Sequence, residues 1–140
     1  MTEPPSGTEI VQAFMKHVNV GDLDGALAYV HADVHVSEPP SMPYGGEYRG
    51  HEQFADLMRK IGQTWASWRE TPNRFAESGS LVFRECTVRG RLRGNGVVVE
   101  MPFVEMFEIE QGSIVAMRPH YWDPGLLRQE PGAAGTEATT

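Results

Sequence analysis

The spacing of apolar residues changes twice along the chain. Ile10, Phe14 and Val18 recur every four positions, with Val11 and Met15 beside them, as on the apolar stripe of an amphipathic helix. Ser6-Gly7-Thr8-Glu9 precedes the stripe in the form of a capping box, a hydroxyl residue followed three positions later by Glu. Gly21-Asp22 stops this helix and caps the next, in which Leu23, Ala26, Leu27 and Val30 carry the helical spacing to about His31. Period two then takes over in Val34-His35-Val36-Ser37-Glu38, which reads as a strand. Pro39, Pro40, Pro43, Gly45 and Gly46 predict a loop. A third helix is predicted from Gly50, with Phe54, Leu57, Met58, Ile61, Trp65 and Trp68 on one stripe and Gly62 as a weak point.

The second half reads as strands. Residues 69–78 are poorly patterned and fit an edge strand. Residues 81–92, 97–109 and 113–122 predict three more, joined by turns at Gly94-Asn95-Gly96 and Gln111-Gly112. Strands joined by tight turns are antiparallel. Helix, helix, strand, helix and strand meander together predict an α+β fold with the helices on one face of an antiparallel sheet. Strong curvature of that sheet over a long helix would leave a pocket in its concave face. A length of 140 residues suits one domain, expected over residues 6–127. Residues 1–5 read as a flexible arm, and 128–140, rich in Gly, Ala, Thr and Glu, as a flexible tail.

Charge and cysteine usage narrow the function classes. Twelve Lys and Arg stand against 19 Asp and Glu, a net charge of −7, which argues against nucleic acid as a partner. Cys86 is the single cysteine, so no intramolecular disulfide forms and a reducing, cytoplasmic setting is expected. The first ten residues lack the basic and apolar regions of a signal peptide. No run approaches the roughly 20 apolar residues of a spanning helix, so no membrane partner is expected.

Two acids stand out because they interrupt apolar rows. The odd positions from Val97 to Ile109 are apolar except for Glu105. A carboxyl in such a row is desolvated, which favours its neutral form and lets it donate a proton or a hydrogen bond to a developing oxyanion. Two other outcomes stay open: a bulge after Pro102 that turns Glu105 outward, or a buried Arg that neutralises it. Glu38 repeats the pattern after Val34 and Val36 at a strand end, where an ordinary exposed acid is the plainer alternative. Arg118-Pro119-His120-Tyr121-Trp122-Asp123 is dense in polar and aromatic groups. His120 is a candidate general acid or base and equally a satisfied structural histidine. Tyr121 and Trp122 can pack a flat ligand, and Asp123 can serve the site or merely start the turn at Pro124-Gly125.

Other signals are weaker. His31 and His35 straddle a helix-to-strand boundary and no third ligand completes a set, so no metal is expected. Arg84, Arg89, Arg91 and Arg93 crowd one hairpin and read as its solvated side, with attraction of an anionic substrate as the alternative. Nucleophile-elbow and phosphate-loop contexts are missing. The even positions Val98, Pro102, Val104 and Met106 make the second face of the long strand apolar too, and a homodimer through the sheet is the simplest cover.

Over residues 8–128 the chain resembles the nuclear transport factor 2-like superfamily, near the ketosteroid isomerases and the SnoaL-like polyketide cyclases. The resemblance rests on Asn19-Val20-Gly21-Asp22-Leu23-Asp24-Gly25, His35-Val36-Ser37-Glu38-Pro39, Tyr48-Arg49-Gly50-His51-Glu52, Glu105-Met106-Phe107, Gly112-Ser113-Ile114-Val115 and Tyr121-Trp122-Asp123. It implies a cone of three helices on a curved antiparallel sheet around a deep apolar pocket, usually dimeric through the sheet. It puts Glu38 where the isomerases have their carboxylate base and Glu105 where they have a protonated acid. Phe14 stands where they have an oxyanion-hole tyrosine, which argues against steroid isomerisation itself. The acid-base Asp of the cyclases falls near Pro119 or His120. Limonene epoxide hydrolases of the same fold need Arg and Asp two apart on a middle strand, and Leu81 to Val88 holds no Asp.

The expected protein is thus a cofactor-independent isomerase or cyclase acting on a hydrophobic, polyketide- or steroid-like carbonyl compound. Glu38 would take a proton alpha to the carbonyl, neutral Glu105 would stabilise the enolate, and His120 would assist. Phe14, Met58, Trp65, Trp68, Phe103, Tyr121, Trp122 and Asp123 would bind substrate. The competing readings are a noncatalytic ligand-binding or dimeric interaction domain and a cofactor-free oxygenase.

Overall fold

A computed structural model describes residues 3–128. Helix α1 (Gly7–Asn19) starts at the predicted capping box: Ser6 accepts from the Glu9 amide and Glu9 accepts from the Ser6 amide. It buries Ile10, Val11, Phe14 and Met15, and the chain turns out of it at Gly21, whose φ of 72° suits a residue without Cβ. Asp22 caps the short α2 (Leu23–Leu27). Strand β1 (Val30–Glu38) follows, then β2 (Gly46–Arg49), α3 (Gly50–Thr64), β3 (Trp65–Ser78), β4 (Leu81–Leu92), β5 (Val98–Glu110) and β6 (Ser113–Tyr121). A 3-10 turn over Pro124–Leu127 ends the described chain. The fold is α+β: three helices on one six-stranded, mostly antiparallel curved sheet ordered β2-β1-β6-β5-β4-β3.

The observed elements correct the predicted ones in four places. The second helix ends at Leu27 rather than near His31, because Val30 already pairs with Ile114 of β6. Residues 46–49, where the sequence predicts a loop at Gly46 and assigns the rest to no element, form β2 against His35–Glu38. Trp65 and Trp68 do not continue the third helix; the chain extends at Trp65 (φ −106°, ψ 128°), which pairs with Leu92. The β1–β6 pair is parallel, so the sheet is mixed. The first two residues of the arm and residues 129–140 of the tail lie outside the described residues.

The long strand keeps the predicted register. Val99, Met101, Phe103 and Phe107 are buried, and the β4–β5 ladder runs unbroken from Arg91↔Val98 to Leu81↔Glu108, with no bulge at Pro102. These side chains, with Val34 and Val36 from β1 and Val82 and Val88 from β4, pack beneath Phe14 of α1 and Phe54 and Leu57 of α3. Among the described residues no helix is long and apolar enough to cross a membrane.

Candidate active site

The helices leave part of the concave face uncovered, and a cavity of about 670 Å³ opens there. Sheet register brings its acids together. Glu105 lies directly across from Pro119 of β6. Val36 of β1 pairs with Met117, so Glu38, two residues on in the parallel register, falls level with Pro119 from the other side. The two acids flank one rung, about 10 Å apart at Cα given two strand spacings. Both line the cavity, as does Tyr121, the next inward residue of β6.

Phe14 and Met58 form the helical wall, Trp65 and Trp68 the β3 wall, and Phe103 the floor. Phe103 stacks on Tyr121 with centroids 5.2 Å apart, and Trp65 meets Trp68 edge-on at 4.7 Å. Trp65 Nε1 donates to the Tyr44 hydroxyl at 3.1 Å, and Tyr44 is also hydrogen-bonded to Tyr121. Burial pushes both phenols up, so they act as neutral hydrogen-bonding groups.

Three predicted site residues lie elsewhere. His120 is exposed on the opposite face of β6, across from Val104, because neighbouring strand residues point to opposite sides and Tyr121 takes the inward position. Trp122 is 80% exposed, with its amide donating to the Pro102 carbonyl at 3.1 Å. Asp123 accepts from the Gly125 amide at 3.1 Å, the turn-forming role weighed as its alternative. His31 and His35 also have local partners: His31 Nδ1 accepts from the Asp33 amide, and His35 faces Glu47.

The sequence reading left a buried Arg beside Glu105 open as an alternative without identifying it, and it missed Glu70. Arg84, expected on a solvated side, is 2% exposed and faces inward with Val82, Cys86 and Val88. Its Nη2 donates to Glu105 Oε1 at 2.9 Å and lies 2.7 Å from Glu70 Oε1, off the hydrogen-bond direction. Nη1 donates to Cys86 Sγ at 3.0 Å. Glu70 also lines the cavity and accepts from Trp68 Nε1 at 2.8 Å. Both flanking carboxylates thus reach Arg84 from other strands, and the residue two beyond it is Cys86. Arg93 lines the cavity too, its Nη2 donating to the Gly62 and Trp65 carbonyls at the end of α3.

This arrangement separates the two acids. Glu38 is 5% exposed and its Oε1 has no hydrogen-bond partner among the described residues. Burial raises its carboxyl well above the usual range, and the negative charges of Glu105 and Glu70 add to that. Burial raises Glu105 as well, but the Arg84 cation opposes it. Both carboxyls are thus raised, and only Glu105 has a cation beside it to oppose the rise.

The profile of the SnoaL-like domain matches residues 11–117. No curated protein matches the chain. A nuclear transport factor 2-like protein of unknown function from Burkholderia pseudomallei is similar at 28% identity and a TM-score of 0.81, covering 88% of this chain and 95% of that one. A proposed polyketide cyclase from Pseudomonas putida is 26% identical with a TM-score of 0.67, over 84% and 92% of the two chains. A Catenulispora acidiphila protein with a ketosteroid isomerase-like fold is 17% identical with a TM-score of 0.70, over 81% and 85%, and speaks to the fold alone. With its fold and more than half of its length matched, the chain belongs to the SnoaL-like domain family.

Proposed function

We propose that the protein is a cofactor-independent acid/base enzyme that isomerises or cyclises a hydrophobic carbonyl compound. The observation that carries this reading is the Glu38 carboxyl, buried with a free oxygen in an aromatic-walled cavity beside a second acid held by a cation. The roles follow the environments and reverse the sequence expectation. Glu105, whose charged form Arg84 favours against the effect of burial, takes the proton alpha to the carbonyl. Glu38, kept neutral by its surroundings, donates a hydrogen bond to the oxygen as enolate charge develops. The enolate is then reprotonated at another carbon or attacks a second carbonyl of the same molecule. His120 has no part in these steps.

Hydrogen–deuterium exchange at the alpha carbon tests this without knowledge of the natural substrate. Bicyclic and tricyclic ketones are incubated with the protein in deuterated buffer and followed by proton NMR. Exchange faster than in buffer is expected, falling about 10²–10⁴-fold in Glu105→Gln. No acceleration across the panel, or an unchanged rate in that variant, defeats the proposal. A noncatalytic binding role is the second reading, favoured by the Glu105–Arg84 ion pair. It predicts ketone binding with no exchange.

The same reading includes a second copy of the chain. On the outer face of β5, Val98 and Val104 are 42% and 38% exposed beside exposed Pro102. Apolar surface of this kind is best covered by symmetric pairing of two sheets.

A further inference from the structure

Glu70 has no role in the steps above, yet it is the acid that divides the site's buried cation. A guanidinium facing one carboxylate normally forms a two-pronged fork. Here the fork is absent: the single Nη2 atom serves Glu105 at 2.9 Å and Glu70 at 2.7 Å, while Nη1 turns to Cys86. The side chains of Arg84 and Glu70 are 3% and 9% exposed. Taking a second carboxylate out of water is costly, and one acid would already have balanced Arg84. Glu70 is nevertheless fixed in place, with its other oxygen bound to Trp68 Nε1 at 2.8 Å.

We propose that Glu70 is a positioning residue of this site: it divides the Arg84 guanidinium between two carboxylates, so that Glu105 is oriented without being neutralised. The inference rests on the acid/base reading of the cavity. Two carboxylates around one guanidinium leave a negative charge in a wall of low polarity. That charge acts on both cavity acids, since Glu70 adds to burial in raising Glu38 and Glu105. With Glu70 uncharged, Arg84 would belong to Glu105 alone and weaken it as a base.

The other groups facing Glu70 leave this balance in place. From β4, Arg84 is joined by Cys86, whose buried thiol is pushed up to about 12 and stays neutral. Glu105 faces it from β5, Glu38 from β1, and the neutral Tyr44 from the loop after β1. From α1, exposed Lys16 lines a smaller cavity of about 350 Å³ that Glu70 and Arg84 also line.

Glu70→Gln is the direct test, because the amide keeps the shape and the acceptor for Trp68 while removing the charge. Protein labelled with ¹³C at the Glu carboxyls is titrated by NMR, and the Glu38 and Glu105 signals are assigned with Glu38→Gln and Glu105→Gln. In Glu70→Gln the Glu105 midpoint is expected to fall by about one pH unit, the size of one charge at such range. The Glu38 midpoint should fall with it, and Glu70→Asp should restore both. Glu70→Ala is the second charge-removing variant should the amide not fold. An unchanged Glu105 midpoint in the folded charge-removing variant, or the same shift in Glu70→Asp, overturns the proposal. The wild-type spectrum separately tests the reading beneath it. A Glu38 that titrates in the ordinary carboxylate range defeats the acid/base assignment, whatever Glu70→Gln shows.

Discussion

Arg84 is buried with one nitrogen committed to two acids, and removing it exposes what it balances. Arg84→Met should cost about 3–5 kcal/mol at neutral pH, because Glu70 and Glu105 then lie buried without a cation. The loss should shrink as the pH falls and the buried Glu105 carboxyl, raised by desolvation, takes up a proton, which denaturant unfolding at two pH values would show. Glu38 gives a prediction of opposite character. Its folded-state pKa is raised, so the folded protein holds a proton that the unfolded chain gives up near pH 4.3. Wild-type stability should therefore fall as the pH rises from there through the raised value, and level off above it. Glu38→Gln cannot titrate at that position, so its stability relative to wild type should improve with pH across the same window. A constant difference would mean that Glu38 is solvated in the folded state.

At the scale of elements, the sites most legible in the sequence are those where one period runs undisturbed. The capping box placed the start of α1, and the odd face of β5 placed Glu105 inward. The same reasoning applied to Val82, Arg84, Cys86 and Val88 would have put Arg84 inside, but clustering with Arg89, Arg91 and Arg93 suggested a solvated face. Glu70 was harder to see, since β3 is a mostly exposed edge strand with irregular pairing at Pro72–Arg74. The tryptophans misled because Trp65 and Trp68 also fit the helical spacing of Leu57 and Ile61. What turns the chain at Trp65 is a long-range pairing with Leu92, invisible to local pattern. Gly90 makes that junction possible: a Cβ there would come within 2.6 Å of the Trp65 ring. Gly90→Ala should thus cost about 1–3 kcal/mol by overpacking and perturb the cavity wall, visible as a lower Tm with altered tryptophan fluorescence.

At the scale of the molecule, the inward half of the sheet makes the site and the outward half is free to make contacts. His120 and Val104 share the outer face, which explains why the Tyr121 end of β6 supplies the cavity with a phenol and not an imidazole. A second copy on that face would bury Val104, so Val104→Arg should shift the sedimentation coefficient from dimer to monomer and leave ketone exchange measurable. A wild-type protein that sediments as a monomer would remove the pairing from the proposal.

The parallel pairing of β1 with β6 also fixes when the site can come into being. Glu38 and Glu105 are level with one another only because β6 lies between them. Contacts of such sequence separation must wait for the loop between them to close, which favours folding in milliseconds to seconds over microseconds. A chain still emerging from the ribosome, with β6 unmade, has both acids and no cavity that joins them. Assembly of the cavity is in this sense the last event of folding, and fragments ending before β6 should bind no ketone even where α1 and the β3–β5 meander have formed.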